Sequence, residues 1–370
     1  MSQKFKIYKE NSFSNSYRNN SIITQFDLKV KDKIKEEFNF DFNLPKNWKL
    51  GVIVGNSGTG KTTIAKEIFN LKKINNNKDN SKSILDLFND NINLSEITKI
   101  LTQVGFASPK SWLKPYNVLS NGEKMRVDLA LEILSDKKQI VFDEFTSVVD
   151  RDVAKTMCHI INKIIKNTDK QFILVSCHFD ILHFLDTNWI FNTNKMLIEA
   201  GQKKRYTREL KLYESTRNNW KLFSKYHYLD HNLSNRAICF TAYLDNNPVG
   251  FIAIIHFPSP KIGLTYRVHR LVVLPDFQGI GVGKFILNNV ANIFFLKNKY
   301  FYLSSSSLAV KEALKKDNNW KLIRKSISKN NNSKNPDFKR GSSKKTMRTG
   351  ILTFSFRYWK LDNAKNINYN

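Results

Sequence analysis

Cysteine is scarce in this sequence. Three occur among 370 residues, at Cys158, Cys177 and Cys239, scattered and without ligand spacing. An odd, scattered set excludes a disulfide framework and a thiolate zinc site, and suits a reduced, cytoplasmic compartment. No apolar run reaches the roughly eighteen residues of a membrane-spanning helix, so no membrane partner is expected. The chain opens Met1-Ser2-Gln3-Lys4 and stays polar, without the apolar stretch of a secretory signal. Internal repeats and coiled-coil heptads are missing too. Acidic residues are few, 32 against 60 lysines and arginines, for a formal charge of +28. Such a surplus attracts phosphate-rich polymers, and nucleic acid is an expected partner. Lys and Asn abound throughout, however, so part of the charge is general composition rather than a binding surface.

What is present organises into two parts. The length accommodates two cores, and the 41% hydrophobic fraction suits globular domains. Residues 1–50 are polar with scattered aromatics. Residues 51–54 then form a short apolar strand that runs into a glycine-rich turn and a helix from Thr62. Further strands are predicted at 139–142, after a helix beginning past Leu119, and at 172–175, after a helix over 151–166. The Asn-rich stretch 75–81 reads as a surface loop. This alternation implies an α/β fold with a mostly parallel, covered sheet. The basic stretch 201–208 reads as the boundary between domains over 1–200 and 201–370. Beyond it come a helix with Trp220 and Phe223, strands at 238–243, 249–256 and 269–273, a glycine turn, a helix from Lys284 and a strand at 301–304. That order is a mixed α/β domain.

Gly55-Asn56-Ser57-Gly58-Thr59-Gly60-Lys61-Thr62, followed by Thr63, matches the P-loop pattern between a strand and a helix. Glycines let backbone N–H groups curl round phosphates, and the helix N-terminus adds its positive end. Lys61 is expected to reach the β- and γ-phosphates of ATP, and the Thr62 hydroxyl to hold Mg2+. Four further features follow in order. Leu119-Ser120-Asn121-Gly122-Glu123 resembles the LSGGE signature of ABC ATPases, with Asn121 in place of the first glycine. Residues 139–144 end in Asp143-Glu144 like a Walker B strand, Ser147-Val148-Val149-Asp150 resembles a D-loop, and His178 resembles the switch histidine. The resemblance implies that Asp143 positions Mg2+, Glu144 polarises the attacking water, and His178 contacts the γ-phosphate. It further implies that Ser120, Gly122 and Asp150 contact ATP across a homodimer with two composite sites. Residues 62–119 leave room for a small helical subdomain. Gln103 is a candidate Q-loop residue, and Tyr17 and Phe26 are candidates for stacking on adenine.

Leu271-Val272-Val273-Leu274-Pro275-Asp276-Phe277-Gln278-Gly279-Ile280-Gly281-Val282-Gly283, continuing to Lys284, resembles the acyl-CoA motif of the GNAT acyltransferases. Again a strand ends, small residues expose N–H groups and a helix N-terminus can receive a pyrophosphate. A dinucleotide turn is the rival, but it wants an acidic residue about twenty positions on, where Lys299 and Tyr300 stand. The resemblance implies acetyl-CoA or another acyl-CoA as cofactor. It places a general-acid Tyr on the helix after strand 301–304, in a slot that holds Leu314, so another acid acts or none does. Lys225-Tyr226-His227-Tyr228-Leu229 resembles an element of Mom-type proteins, phage GNAT relatives that modify adenine in DNA, and His269-Arg270-Leu271 fits their motif strand. His227 is thus a candidate proton-transfer group, or a helix cap beside core aromatics. Residues 304–307, all serine, either orient substrate or form a polar turn.

Lys315, Lys316, Lys321, Arg324, Lys325, Lys329, Lys334, Lys339, Arg340, Lys344, Lys345 and Arg348 meet few acids. The loop 330–335 and a strand at 351–359 with Phe354, Phe356, Tyr358 and Trp359 follow or interleave them. Cations contact phosphate and aromatics stack on bases, so this is the expected nucleic-acid surface. An edge strand with core aromatics is the alternative. Together the sequence suggests an ATP-dependent acyltransferase acting on DNA or tRNA. An acyltransferase for protein or small molecules, and a non-catalytic clamp, remain open.

Overall fold

The computed structural model describes residues 3–12, 14–28, 33–69, 81–204, 209–227, 231–257, 263–327 and 352–360. The chain begins with β1 (Gln3–Ser12), α1 (Tyr17–Gln25), β2 (Lys33–Phe42), β3 (Leu50–Val54) and α2 (Lys61–Phe69). The helices α3 (Leu94–Gln103), α4 (Pro109–Trp112) and α5 (Asn121–Leu134) follow, then β4 (Gln139–Phe142), α6 (Arg151–Ile165), β5 (Gln171–Ser176), β6 (Trp189–Asn192) and β7 (Leu197–Ala200). The remainder comprises β8 (Leu210–Ser215), α7 (Trp220–Phe223), β9 (Ile238–Leu244), β10 (Asn247–His256), β11 (Thr265–Val273) and α8 (Val282–Leu296). It ends with β12 (Tyr300–Ser305), α9 (Leu308–Lys315), β13 (Trp320–Ile327) and β14 (Leu352–Tyr358).

Two compact units result, and they do not follow a single cut near residue 200. The first comprises Met1–Lys78 and Ser135–Thr207, the second Asp79–Leu134 and Arg208–Asn370. The helical stretch that interrupts the first unit in sequence therefore packs with the C-terminal part. No described helix is long and apolar enough to cross a membrane.

In the first unit the strand order is β4-β5-β3-β6-β7. Neighbours are parallel except for β6 and β7, which are antiparallel. Every residue of β3 is buried, as expected of a parallel strand covered on both faces. Residues 1–50, which read only as polar and aromatic-spotted, supply an antiparallel β1–β2 pair. Alternation along β2 buries Phe40 and Phe42, and they join Trp48, Phe69, Trp189 and Phe191 in one apolar cluster.

In the second unit seven strands run β13-β14-β12-β11-β10-β9-β8, antiparallel except β11 with β12. Helix α8 buries Val282, Ile286, Leu287, Val290, Ala291 and Phe294 against this sheet. Gly250 permits the close approach: a Cβ there would stand 2.6 Å from Ile286 Cδ1. The strand expected at 351–359 forms as β14, but between β13 and β12 rather than at an edge. Its Phe354, Phe356 and Tyr358 are buried. These rings are core and unavailable for stacking on bases; Trp359, just past the strand, is exposed. Lys329, Lys334, Lys339, Arg340, Lys344, Lys345 and Arg348, with the loop 330–335, lie outside the described residues.

Candidate ATP and acyl-CoA sites

Parallel neighbours β4, β5 and β3 bring their C-terminal ends to one edge of the sheet, where α/β folds bind ligands. The turn from Gly55 to Gly60 leaves β3 there. A Cβ on Gly60 would lie 2.6 Å from the Phe38 ring, and Gly58 and Gly60 take φ of +84° and +81°, which favour glycine. Among the described residues nothing stands within 4 Å of a Cβ position on Gly58, which leaves room for a phosphate on that face of the turn. The turn is braced by two residues that the sequence reading missed. Thr59 Oγ1 lies 2.6 Å from Thr193 Oγ1, and the Asn56 N–H donates to Asn194 Oδ1 at 2.9 Å. Their only sequence signal is a position just past an apolar strand.

Lys61 Nζ donates to the Asn56 carbonyl at 2.6 Å, folding the ammonium back across the turn. Burial pulls its pKa below the ordinary lysine value, while Cys177 and Asp143 act in the opposite sense. Thr62 Oγ1 donates to Asp143 Oδ1 at 3.1 Å; Thr63 occupies the same first turn of α2. A hydroxyl beside a carboxylate oxygen is the hard donor set that Mg2+ takes together with phosphate and water. Thr62 and Asp143 therefore fit the metal that the P-loop implies. The Glu144 N–H donates to the same Asp143 oxygen at 3.0 Å, and the Glu144 side chain is exposed. Glu144 and Thr146 have φ of +52° and +69°, a strained turn of the kind that gathers at functional sites. Thr146 Oγ1 stands 3.5 Å from His178 Nδ1, and the His178 N–H donates to Ser176 Oγ at 3.1 Å. Asp143 thus meets Thr62 on the helix that follows the P-loop turn, and His178 meets Thr146 on the turn that carries Glu144.

Other expected nucleotide residues are placed differently. Asp150 caps α6: its Oδ1 accepts from the Asp152 and Val153 N–H groups, both at 2.9 Å. Tyr17 and Phe26 are exposed in and just after α1, and Gln103 ends α3 in the second unit. Ser120 and Glu123 form a reciprocal capping box at the start of α5. The Ser120 N–H donates to Glu123 Oε2 at 3.0 Å and the Glu123 N–H to Ser120 Oγ at 3.3 Å. Gly122 is buried in that first turn and Asn121 is exposed.

The second candidate site begins where two strands part. β11 and β12 pair from Thr265↔Tyr300 to Arg267↔Tyr302. Beyond that point β12 pairs with β14 on its far side, while β11 runs on beside β10 as far as Val273. Among the described residues no strand pairs with Leu271, Val272 and Val273 on the side facing the parting. His269 is the extra residue of a bulge opposite Ala253 and Ile254, and bulges bend a strand in this way. Gln278, Gly279, Ile280 and Gly281 then turn into α8, with φ of +84° at Gly279 and +100° at Gly281. Among the described residues nothing lies within 4 Å of a Cβ position on Gly281, and one on Gly283 makes ordinary contact with Val273. The first N–H groups of a 15-residue helix, at Val282, Gly283 and Lys284, suit a pyrophosphate. The Lys284 ammonium is committed elsewhere, to Asp317 Oδ2 at 2.9 Å, which leaves its backbone N–H for the turn.

Three expectations around the acyl group meet the following geometry. Leu314 is fully buried in α9. His227 is buried with its ring 5.8 Å from Trp220; Tyr226 is exposed, and Tyr228 and Leu229 lie outside the described residues. The serines build a polar turn: Ser304 Oγ lies 2.9 Å from Ser355 Oγ, Ser305 Oγ accepts from the Ser307 N–H at 3.1 Å, and Ser307 caps α9.

Residues 203–312 match the family model "Acetyltransferase (GNAT) family". Over 199 residues the chain is 28% identical to the energy-coupling factor transporter ATP-binding protein EcfA1 of Mycoplasmopsis synoviae (strain 53), spanning 44% of this chain and 74% of that protein. Residues 203–312 are thus a GNAT-type acetyltransferase domain, and the N-terminal region resembles the ABC-type ATPases. Similar solved structures include an IAA acetyltransferase from Bacillus cereus, 12% identical, covering 40% of this chain and 99% of that one at a TM-score of 0.30. A post-hydrolysis ATP-binding cassette dimer bound to ADP and Pi is 15% identical, covering 48% and 95% at a TM-score of 0.36. Within the GNAT domain, His269 and Arg270 hold the preceding loop: the Ser234 N–H donates to His269 Nε2 at 3.4 Å and Arg270 to the Asn232 carbonyl at 3.0 Å.

Proposed function

We propose that this chain is an ATP-hydrolysing, acyl-CoA-dependent N-acyltransferase that modifies a nucleic acid, working as a homodimer. The parting of β11 and β12 above the Gly279–Gly281 turn carries the reading. It exposes the backbone of Leu271, Val272 and Val273 to an extended thioester arm, whose pyrophosphate the amides of 280–284 receive. In the ATPase region Lys61 and the P-loop amides neutralise phosphate, Glu144 orients water, and His178 faces the γ-phosphate. Thr62 and Asp143 hold Mg2+, which supplies charge neutralisation when bound. Acyl transfer from CoA needs no ATP, so hydrolysis here does conformational work: clamping or remodelling the acceptor as two copies close on ATP.

Support for a nucleic-acid acceptor is electrostatic, with one surface feature added. The Arg357 guanidinium stacks between the rings of Tyr300 and Trp359, at 4.5 and 4.8 Å, and both rings are exposed. A cation flanked by exposed aromatics suits backbone and base contact. The buried Leu314, standing where GNAT enzymes carry an acid, favours a second reading as an ATP-driven clamp without transfer. Incubation with acetyl-CoA, MgATP and either DNA or tRNA, followed by nucleoside mass analysis, separates the two. An added acyl mass that disappears in Lys61→Ala and Glu144→Gln is the expected result. Bound acetyl-CoA without any added mass overturns transfer and leaves the clamp.

A further inference from the structure

The helical stretch that carries the ABC signature and the turn that receives acyl-CoA are built into one unit, and the bonds between them are specific. Arg126, on the first turns of α5 six residues after Ser120, is fully buried. It donates to the Asp276 carbonyl at 2.9 Å, with its other terminal nitrogen 4.0 Å from the Asp276 carboxylate. Two residues on, Gln278 is held from both sides. Its Oε1 accepts from the Ala107 N–H at 3.2 Å and its Nε2 donates to the Val273 carbonyl at 3.1 Å. At Gly279 a Cβ would stand 2.9 Å from Gly105 Cα and 3.2 Å from the Gln103 carbonyl. The backbone after α3 thus lies directly against the CoA turn.

A fully buried guanidinium is expensive unless its partners stay in place, so Arg126 fixes α5 and residues 275–277 as one body. The signature sits at one end of that body and the CoA turn is part of it. We infer that the two ligands are coupled through it: engagement of the signature by ATP repositions residues 276–283 and changes the affinity for acyl-CoA. Arg126 is the positioning residue of this coupling, and Gln278 reports it to the end of β11. Thermodynamic linkage makes the effect reciprocal, so acyl-CoA changes ATP affinity by the same factor. The inference rests on the proposed acyl-CoA and ATP sites and adds their mutual regulation.

The test is calorimetry on the full chain carrying Glu144→Gln, which holds ATP unhydrolysed. The Kd for acetyl-CoA is measured with and without saturating MgATP, and the Kd for MgATP with and without acetyl-CoA. A matched change of about 5- to 150-fold in both is expected, falling to near unity in an added Arg126→Lys that still binds each ligand. Hydrogen exchange provides a readout independent of that variant: MgATP alone is expected to change exchange at residues 275–283 in the parent. Binding of both ligands with unchanged affinities, and unchanged exchange at 275–283, overturns the coupling alone. Failure of acetyl-CoA or ATP to bind by itself overturns the underlying site and the inference with it.

Discussion

Thr62 on the first turn of α2 donates its hydroxyl hydrogen to Asp143 at the end of β4, residues 81 positions apart in sequence. The contact links the helix after β3 to the end of β4, across β5, and brings together the hydroxyl and the carboxylate proposed to hold Mg2+. Removing the hydroxyl leaves Asp143 and its bond from the Glu144 N–H in place. Thr62→Ala is therefore expected to raise the Mg2+ concentration needed for half-maximal hydrolysis while the fold, by circular dichroism, stays unchanged. Unaltered Mg2+ dependence would remove Thr62 from the metal site.

Glu144 stands next to this pair on a left-handed backbone, exposed and with no shared role in the core. A carboxylate that polarises water contributes on the order of 10²- to 10⁴-fold. Glu144→Gln should lower phosphate release by that range and leave MgATP binding intact, measured by a phosphate assay beside calorimetry. Hydrolysis within threefold of the parent, roughly 0.6 kcal/mol in barrier, assigns the water to another group.

The ATPase half was the more legible in sequence because its chemistry is written in contiguous residues. A turn of small residues, an acidic pair after a strand and a histidine after the next strand are local patterns, and the sheet brings them together. Thr193 and Asn194 escaped notice because they brace the P-loop by tertiary contact alone. Aromatics misled in β14 for the opposite reason. Period-two burial of Phe354, Phe356 and Tyr358 is the same pattern on an edge or an inner strand, and only pairing with both β13 and β12 decides it. The change of composition near residue 200 suggests a single boundary, whereas the chain passes between the two units at three places, after Lys78, Leu134 and Thr207. Where the helices before Leu134 meet the C-terminal part of the second unit, Arg126 and Gln278 make the specific contacts, and these polar residues carry no periodic signal.

The cysteines divide by environment. Cys158 is fully buried and burial pushes its thiol far up; Cys239 is buried and pushed up to about 11. The thiolate is the reactive form, so both should resist alkylation at pH 8. Cys177 is half-buried, 3.9 Å from Ser147 Oγ and close enough to Lys61 to act on its charge. Brief iodoacetamide treatment followed by peptide mass mapping should label Cys177 first, and MgATP should slow that labelling. Equal labelling of all three in the native protein would contradict the burial.

Asp317 anchors the start of α8 to the far end of α9. Burial opposes its charge, but bonds from Asn288, Lys284 and the Asn319 N–H hold its pKa below the ordinary carboxylate value. A depressed carboxylate contributes stability above its unfolded value, near 4, and loses it as pH falls through the folded value. Asp317→Asn should therefore cost about 2 kcal/mol at pH 7, and the gap from the parent should narrow below pH 4. A constant gap across that range in thermal unfolding would show that the charge is not what matters.

Gly51 offers the sharpest steric test. It lies buried in β3, paired in parallel with Trp189 of β6, and a Cβ at this position would fall within the Trp189 indole. The indole cannot retreat easily, because Phe69 stacks on it at 5.8 Å and Phe42 and Trp48 meet it edge-on. Replacing glycine by alanine restricts the unfolded chain and would by itself stabilise by about 0.4–1 kcal/mol. Overpacking a filled core costs about 1–3 kcal/mol and often more, so the steric loss wins and Gly51→Ala should lower the denaturation midpoint. Trp189→Phe frees space at the point of conflict while leaving a void of its own. In the double variant the added methyl occupies that void, so the loss should be smaller than the sum of the two single losses by about 0.5–3 kcal/mol. Strict additivity in urea unfolding would mean that the methyl and the indole do not compete, and that some other contact fixes glycine at this position.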